Sequence, residues 1–347
     1  MPRHGRRTLD ARPCVLASPD PARSSTRSPQ DSRPLLSPTP PRVGTVIDKR
    51  YVLLEPLGRG ASGWVWKAKH RVIGKLCAVK VLAPHEGSYD SKSVVRMLRE
   101  ATALSKVEHP GVVEVSDFGH TEEGTPFIVM ELLEGQDLQS TLRARRLSTE
   151  QALEWGVQLL QAVAAAHAKD IVHRDIKPAN IFVSAKDNRL KLLDFGLARL
   201  HQHEGSDASG EWDGRLTPEG ELLGSPATMS PEQLRGADPD ARSDMYSVGC
   251  VLYEMLAGRA PVQGRTTQVL YQHMYEEPPE LREFAAADTP DAVLELVEAC
   301  LAKEPEQRPS STQAAVDAAR DWRTDAAPQR GVSRLLRAWQ RLRSAAS

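Results

Sequence analysis

Eight consecutive residues, His173-Arg174-Asp175-Ile176-Lys177-Pro178-Ala179-Asn180, are followed fourteen positions after Asn180 by Asp194-Phe195-Gly196. The two segments bring a carboxylate, an ammonium, an amide and a second carboxylate close together in the chain. A carboxylate can accept a hydroxyl proton, and an ammonium can neutralise a phosphoryl group. Amide and carboxylate oxygens are the hard donors that magnesium prefers. A packed core has no use for such a set, because buried charge is costly unless it is paired or bound to a metal.

Gly58-Arg59-Gly60-Ala61-Ser62-Gly63 fits a dinucleotide fingerprint, a loop covering a triphosphate and, taken alone, an ordinary hairpin turn. A dinucleotide site needs a helix directly after the glycines, with its N-terminus at the pyrophosphate. Here Trp64-Val65-Trp66-Lys67 reads as an alternating strand, which disfavours a dinucleotide-dependent oxidoreductase. A glycine loop between two strands can instead fold over phosphates with its backbone N–H groups. Lys80 follows Ala78-Val79 in an apolar run and needs a partner. Glu100, twenty residues on in a helical pattern, can supply it.

Together these motifs resemble those of the eukaryotic-type protein kinases, specifically the Ser/Thr branch found in bacteria and often called Hanks-type. The match runs from about Tyr51 to Trp322. It implies ATP- and magnesium-dependent transfer of the γ-phosphoryl group to Ser or Thr hydroxyls of protein substrates. In that reading Asp175 is the catalytic base and Lys177 neutralises charge on the transferring group. A lysine at this place, before Pro178, resembles the Ser/Thr branch more than the tyrosine branch. Asn180 and Asp194 would hold magnesium. Gly58, Gly60 and Gly63 would cover the phosphates, Lys80 would contact the α- and β-phosphates, and Glu100 would orient Lys80. Met130-Glu131-Leu132-Leu133-Glu134-Gly135 resembles the hinge, with backbone groups of Glu131 and Leu133 on the adenine edge. Asp137 would meet the ribose, while Leu57, Val65, Ala78 and Phe182 would enclose the ring; those four apolar residues fit a core equally well. The alternative is a pseudokinase, a nucleotide-binding regulatory module on the same fold. The joint presence of Lys80, Asp175, Asn180 and Asp194 speaks against it.

Arg174, beside Asp175, brings a buried charge that relatives compensate with a phosphorylated residue between Asp194 and Glu232. Thr217 is the expected site, with Ser225 and Thr228 nearer the substrate platform, and autophosphorylation is the expected activation. A phosphate adds roughly −1.5 to −2 charges and can order a loop by pairing with arginine. The stretch Gly224-Ser225-Pro226-Ala227-Thr228-Met229-Ser230-Pro231-Glu232 departs from the family pattern. Ser225 stands where Thr is common, Thr228 where Tyr is common, and Ser230 where Ala is usual. Losing a ring at Thr228 puts the packing of the docking loop in question. The polar insert 201–215 reads as mobile. Glu232 and Arg308 are expected to pair and anchor the segment, and Asp244 to hold the backbone of the catalytic loop.

The elements that must position these groups are written in two styles. Short alternating runs, Tyr51–Leu54, Trp64–Ala68, Cys77–Val81, Val112–Phe118 and Pro126–Glu131, read as strands, with one helix over Ser93–Lys106 between them. After Glu134 the pattern turns helical. Thr149–Ala168 is amphipathic, with Ser148 as its N-cap, and Asp244–Leu256, Thr266–Glu276, Asp291–Leu301 and Ser311–Trp322 follow. The pattern is therefore β then α. With the resemblance, the expectation is an α+β, protein-kinase-like bilobal fold: a kinase domain over 46–324, its small β-rich lobe at 46–133 and its larger helical lobe at 134–324.

The flanks differ from that core. Residues 1–45 are rich in Arg, Pro and Ser and bury too little apolar surface to offset ordering entropy, so disorder is expected. Residues 325–347 carry Val332, Leu335, Leu336, Trp339 and Leu342 at helical spacing, interleaved with arginines. Such a tail suits an anionic membrane surface or an acidic partner, and equally a last helix docked on the kinase. With 45 basic and 46 acidic residues the net charge is −1, which argues against bulk nucleic-acid binding. Four scattered cysteines give no disulfide framework or zinc site and fit a reducing, cytoplasmic setting. No apolar run approaches the ~20 residues of a membrane span, and no secretory signal is expected.

Overall fold

Alternation of side chains sets the first sheet. The computed structural model describes residues 41–60, 63–82, 101–195 and 226–319, all within one compact unit, Ser37–Ser347. Six strands, β1 (Val46–Ile47), β2 (Tyr51–Gly60), β3 (Gly63–His70), β4 (Leu76–Leu82), β5 (Val115–His120) and β6 (Pro126–Met130), form an antiparallel sheet in the order β1-β2-β3-β4-β6-β5. In β4 the odd residues Cys77, Val79 and Val81 join Leu53, Trp66, Ala68, Phe127 and Val129 in one apolar cluster. Period two then turns Ala78 and Lys80 to the opposite face. Cross-strand register sets Lys80 beside Val65 and Ile128, and Ala78 beside Met130.

The strand expected from Val112 begins instead at Val115. Val112 and Val113 are used elsewhere. Val113 N–H donates to the Leu192 carbonyl at 3.1 Å, and Val112 forms a parallel bridge with Leu192. That loop fastens the strand-rich half to a second, three-stranded sheet of β7 (Gly135–Asp137), β8 (Ile181–Ser184) and β9 (Leu190–Leu192).

Helices build the rest: α1 (Leu138–Ala144), α2 (Thr149–His167), α3 (Pro231–Leu234), α4 (Ala241–Ala257), α5 (Thr266–Tyr275), α6 (Asp291–Cys300) and α7 (Thr312–Ala319). Ser148 caps α2 by accepting from Gln151 N–H at 3.2 Å. Helix α2 pins the β8–β9 turn, because Trp155 Nε1 donates to the Asn188 carbonyl at 3.0 Å and Gln158 Oε1 accepts from Leu190 N–H at 2.9 Å. Fourteen of the seventeen residues of α4 are buried, so it is the axle of this half rather than a surface helix. It starts three residues earlier than its apolar pattern, since Asp240 and Ser243 close a capping box there.

Several sequence expectations lie outside the described residues: the N-terminal tail through residue 40, Glu100 and most of its helix, Gly196, Thr217, Ser225 with the insert 201–215, and the tail 325–347. Among the described residues no helix is long and apolar enough to cross a membrane.

Gly135 marks the entry to β7. Its φ is +145°, and a Cβ there would lie 2.0 Å from the Val183 carbonyl oxygen of the paired strand. Gly135→Ala should therefore cost on the order of 3 kcal/mol of stability in denaturant unfolding. A change below about 0.5 kcal/mol would show that β7 does not pair with β8 in solution.

Candidate active site

The catalytic loop is held from below by one carboxylate. Asp244, on α4 and 1% exposed, accepts from His173 N–H at 2.7 Å and Arg174 N–H at 2.8 Å. The His167 ring, at the end of α2, reaches the same carboxylate at 2.8 Å and Thr312 at 2.6 Å. These bonds fix Arg174 at φ +68°, a left-handed conformation that a branched or bulky residue resists. His173 is buried, and burial lowers its pKa. It is therefore neutral: Nδ1 accepts from Asp175 N–H at 3.2 Å, and Nε2–H donates to the Leu193 carbonyl at 2.7 Å. One imidazole thus spaces Asp175 from the segment bearing Asp194, with Phe195 against its ring at 4.5 Å.

On this floor the predicted groups converge. Lys177 Nζ lies 2.7 Å from Asp175 Oδ2. Asn180 Nδ2 donates to the Asp175 carbonyl at 2.8 Å and to its Oδ2 at 3.0 Å, which leaves Asn180 Oδ1 as a donor atom for a metal. Asn180 O accepts from Leu193 N–H at 2.8 Å, locking the two segments together. Lys80 Nζ pairs with Asp194 Oδ1 at 2.7 Å. Burial pushes the Asp194 carboxyl up, but the Lys80 ammonium, through charge and hydrogen bond and with help from Lys177, holds it below the usual carboxylate range. The Asp194 side chain keeps 37% of its surface exposed and that of Lys80 only 8%, so the pair is open to solvent at its carboxylate end and buried at its ammonium end. The donor chemistry, one carboxylate oxygen and one amide oxygen, fits a magnesium ion that takes the rest of its shell from phosphate and water.

Around these groups lie the other expected residues. Gly60 pairs with Gly63 at the loop's base, and Gly58 pairs with Val65. Leu57 is half-exposed, Val65 and Leu133 are half-buried, and Ala78 is buried. Glu131 N–H is committed to the Glu114 carbonyl at 3.0 Å, so of its backbone groups the carbonyl remains for a ligand. The Asp137 carboxylate caps α1, accepting from Ser140 N–H at 2.7 Å and Ser140 Oγ at 2.9 Å. It has a structural task beside any ribose contact.

The far side of the floor carries the departures from pattern. Ser230, fully buried, caps α3 in a box with Gln233, and Gln233 Nε2 donates to the Arg174 carbonyl at 3.0 Å. Thr228 is 5% exposed and its carbonyl accepts from Ser247 Oγ at 2.7 Å, so the described conformation withholds this candidate's hydroxyl from modification. Glu232 and Arg308 form the expected pair, bidentate at 2.7 and 2.8 Å.

Sequence reasoning missed three partners. The Ser-x-x-Gln spacing of Ser230 and Gln233 is a capping-box signature and was legible. Lys191, between buried Leu190 and Leu192 on β9, pairs with Glu131 at 2.6 Å. The His167–Asp244–Thr312 chain joins three helices, and no local signal announces it.

The Arg308 side chain has no exposed surface. Glu232→Ala should therefore cost about 3–5 kcal/mol by leaving a buried cation unpaired. Burial opposes ionisation of Glu232, yet the Arg308 and Ser243 hydrogen bonds hold its pKa below the ordinary value. The pair thus stabilises above about pH 4.3, and that contribution is lost as pH falls through the lowered folded value. Urea midpoints measured from pH 6 to 3 should fall most steeply in that acid range, and less steeply in Glu232→Gln.

Comparison with known proteins matches residues 51–318 to the model of the protein kinase domain. The chain is 36% identical over 303 residues to the serine/threonine-protein kinase pkn3 of Myxococcus xanthus, covering 84% of this chain and 54% of that protein. It is 36% identical to the serine/threonine-protein kinase PkaA of Streptomyces coelicolor, covering 76% of this chain and 48% of the relative. Against the serine/threonine-protein kinase PknA of Mycobacterium tuberculosis the figures are 37%, 77% and 60%. The chain therefore spans about half the length of these relatives. Among solved structures, that of Rad53 residues 1–466 in complex with AMP-PNP aligns with a TM-score of 0.62 at 27% identity, covering 78% of this chain and 65% of that one.

Proposed function

The chain belongs to the protein kinase family, and on that premise we propose that it is an ATP- and magnesium-dependent Ser/Thr protein kinase. The observation that carries this reading is the convergence of Asp175, Lys177 and Asn180 through hydrogen bonds, with the Lys80–Asp194 pair beside them. The substrate hydroxyl oxygen attacks the γ-phosphorus while the bond to the β-phosphate oxygen breaks and ADP leaves. Asp175 orients the hydroxyl and takes its proton. Lys177 neutralises charge on the moving phosphoryl group, and Lys80 draws the α- and β-phosphates toward the floor of the cleft. Asn180 and Asp194 would hold magnesium, which when bound offsets phosphate charge.

The nucleotide base would rest between Leu57, Val65 and Ala78 above and Phe182 below, its edge read by the Glu131 carbonyl and the Leu133 backbone. Gly58, Gly60 and Gly63 would lie over the phosphates, Glu100 would orient Lys80, and Asp137 would meet the ribose. Thr217, phosphorylated in the activation segment, would pair with Arg174, and the Ser225 hydroxyl would bridge Asp175 and Lys177 nearer the substrate platform. The partners are proteins bearing Ser or Thr acceptors, in the cytoplasm, and the kinase unit extends over 46–324. A pseudokinase has no need of the Asp175–Lys177–Asn180 geometry, since nucleotide binding alone does not use a proton acceptor at that place.

Radiolabelled transfer from ATP to a protein acceptor separates the two readings. Asp175→Asn should lower kcat by about 10²–10⁴-fold with little change in the KM for ATP. Lys80→Ala should weaken both. Equal transfer by wild type and Asp175→Asn would sink the proposal.

A further inference from the structure

Helix α5 turns one histidine inward against the short turn Pro226–Thr228, and the chemistry above does not use it. His273 has no exposed surface, and its Nδ1 lies 2.8 Å from the hydroxyl of Tyr246 on α4, itself 1% exposed. The rings meet edge to face at 5.6 Å. Burial, with the nearby Lys303 ammonium, brings the imidazole pKa down to about 4, although the Pro226 and Ala227 carbonyls pull the other way. The ring is therefore neutral and carries one N–H. Because Nε2 faces two carbonyls, which only accept, the consistent tautomer has Tyr246 O–H donating to Nδ1 and the proton on Nε2.

That Nε2–H lies near the Pro226 and Ala227 carbonyls but reaches full hydrogen-bond geometry with neither. A buried donor whose bond is incomplete is penalised, and a small movement of the turn would complete it. Nearby, Ser247 Oγ already holds the Thr228 carbonyl at 2.7 Å. Two helices thus reach the same three residues, one through a completed bond and one through an incomplete one.

We propose that His273 is a positioning residue for protein-substrate docking, its Nε2–H closing onto the Ala227 carbonyl when an acceptor protein engages the turn Pro226–Thr228. This rests on the kinase reading and assigns a control of acceptor affinity that is separate from the nucleotide site. His273→Phe keeps a ring but removes both the Nε2 donor and the Nδ1 acceptor of Tyr246 O–H, whereas His273→Gln restores an N–H.

With dephosphorylated casein as acceptor, His273→Phe should raise the KM for casein about tenfold while kcat and the KM for ATP stay within about twofold. His273→Gln should recover most of the loss. An unchanged casein KM in His273→Phe, or an equal rise in the ATP KM, overturns the assignment. Amide hydrogen exchange gives a readout free of activity: residues 226–234 should exchange faster in His273→Phe than in wild type, with α2 unchanged. If wild type transfers no phosphate, the kinase reading fails; identical exchange at 226–234 removes the His273 assignment independently.

Discussion

A single carboxylate, Asp244, decides where the reacting groups stand. Its burial at the centre of the molecule is tolerable because two backbone N–H groups and an imidazole surround it. Those same bonds hold Arg174 in a left-handed backbone conformation that the residue would not choose. From Arg174 and its neighbour His173 the constraint spreads in two directions. The Arg174 carbonyl takes Gln233 from the docking side, and the His173 ring takes the Leu193 carbonyl on the metal-ligand side. The proposed base, metal ligands and substrate platform are thereby referred to one buried anion.

The ion pairs around that anion differ in kind. Arg308–Glu232 is sealed from solvent on the arginine side, with every guanidinium nitrogen engaged by Glu232 or by the carbonyls of Ala302, Lys303 and Arg242. It acts as a fixed rivet whose removal leaves charge behind. In Lys177–Asp175 both side chains keep about a fifth of their surface exposed, and in Lys80–Asp194 the carboxylate is partly exposed while the ammonium is buried, so each pair has an end open to exchange.

The sequence made the order of elements readable because strands and helices here keep their own periods. It also made Asp175, Lys177, Asn180 and Asp194 readable, since all four sit in two short segments. Misreadings arose where tertiary partners outweigh local pattern. Val112 and Val113 look like the start of a strand, yet they are claimed by Leu192. Lys80 reads as a buried cation in need of a carboxylate, and among the described residues Asp194 meets it, a pairing across the two sheets that no local pattern announces. Ser230 looked like a departure from pattern because the pattern concerns residue type, whereas its role is to cap α3 and so orient Gln233.

Tethers hold the two sheets to one another along one edge. At the hinge, Glu131 joins Lys191 of β9 and accepts from Glu114 N–H, while Val113 bonds Leu192 close by. These contacts, side chain and backbone together, form the stiff edge. Lys80–Asp194 bridges the glycine-loop sheet to the catalytic floor, and it is made of the two groups that nucleotide and metal would also engage. Nucleotide phosphates can replace Asp194 as the partner of Lys80, and a divalent ion can replace Lys80 as the partner of Asp194, so charge stays matched throughout the exchange. In the proposed reaction, exchange of partners across the cleft then leaves no buried charge unpaired, because each ion gains a new counter-charge as it gives up the old one.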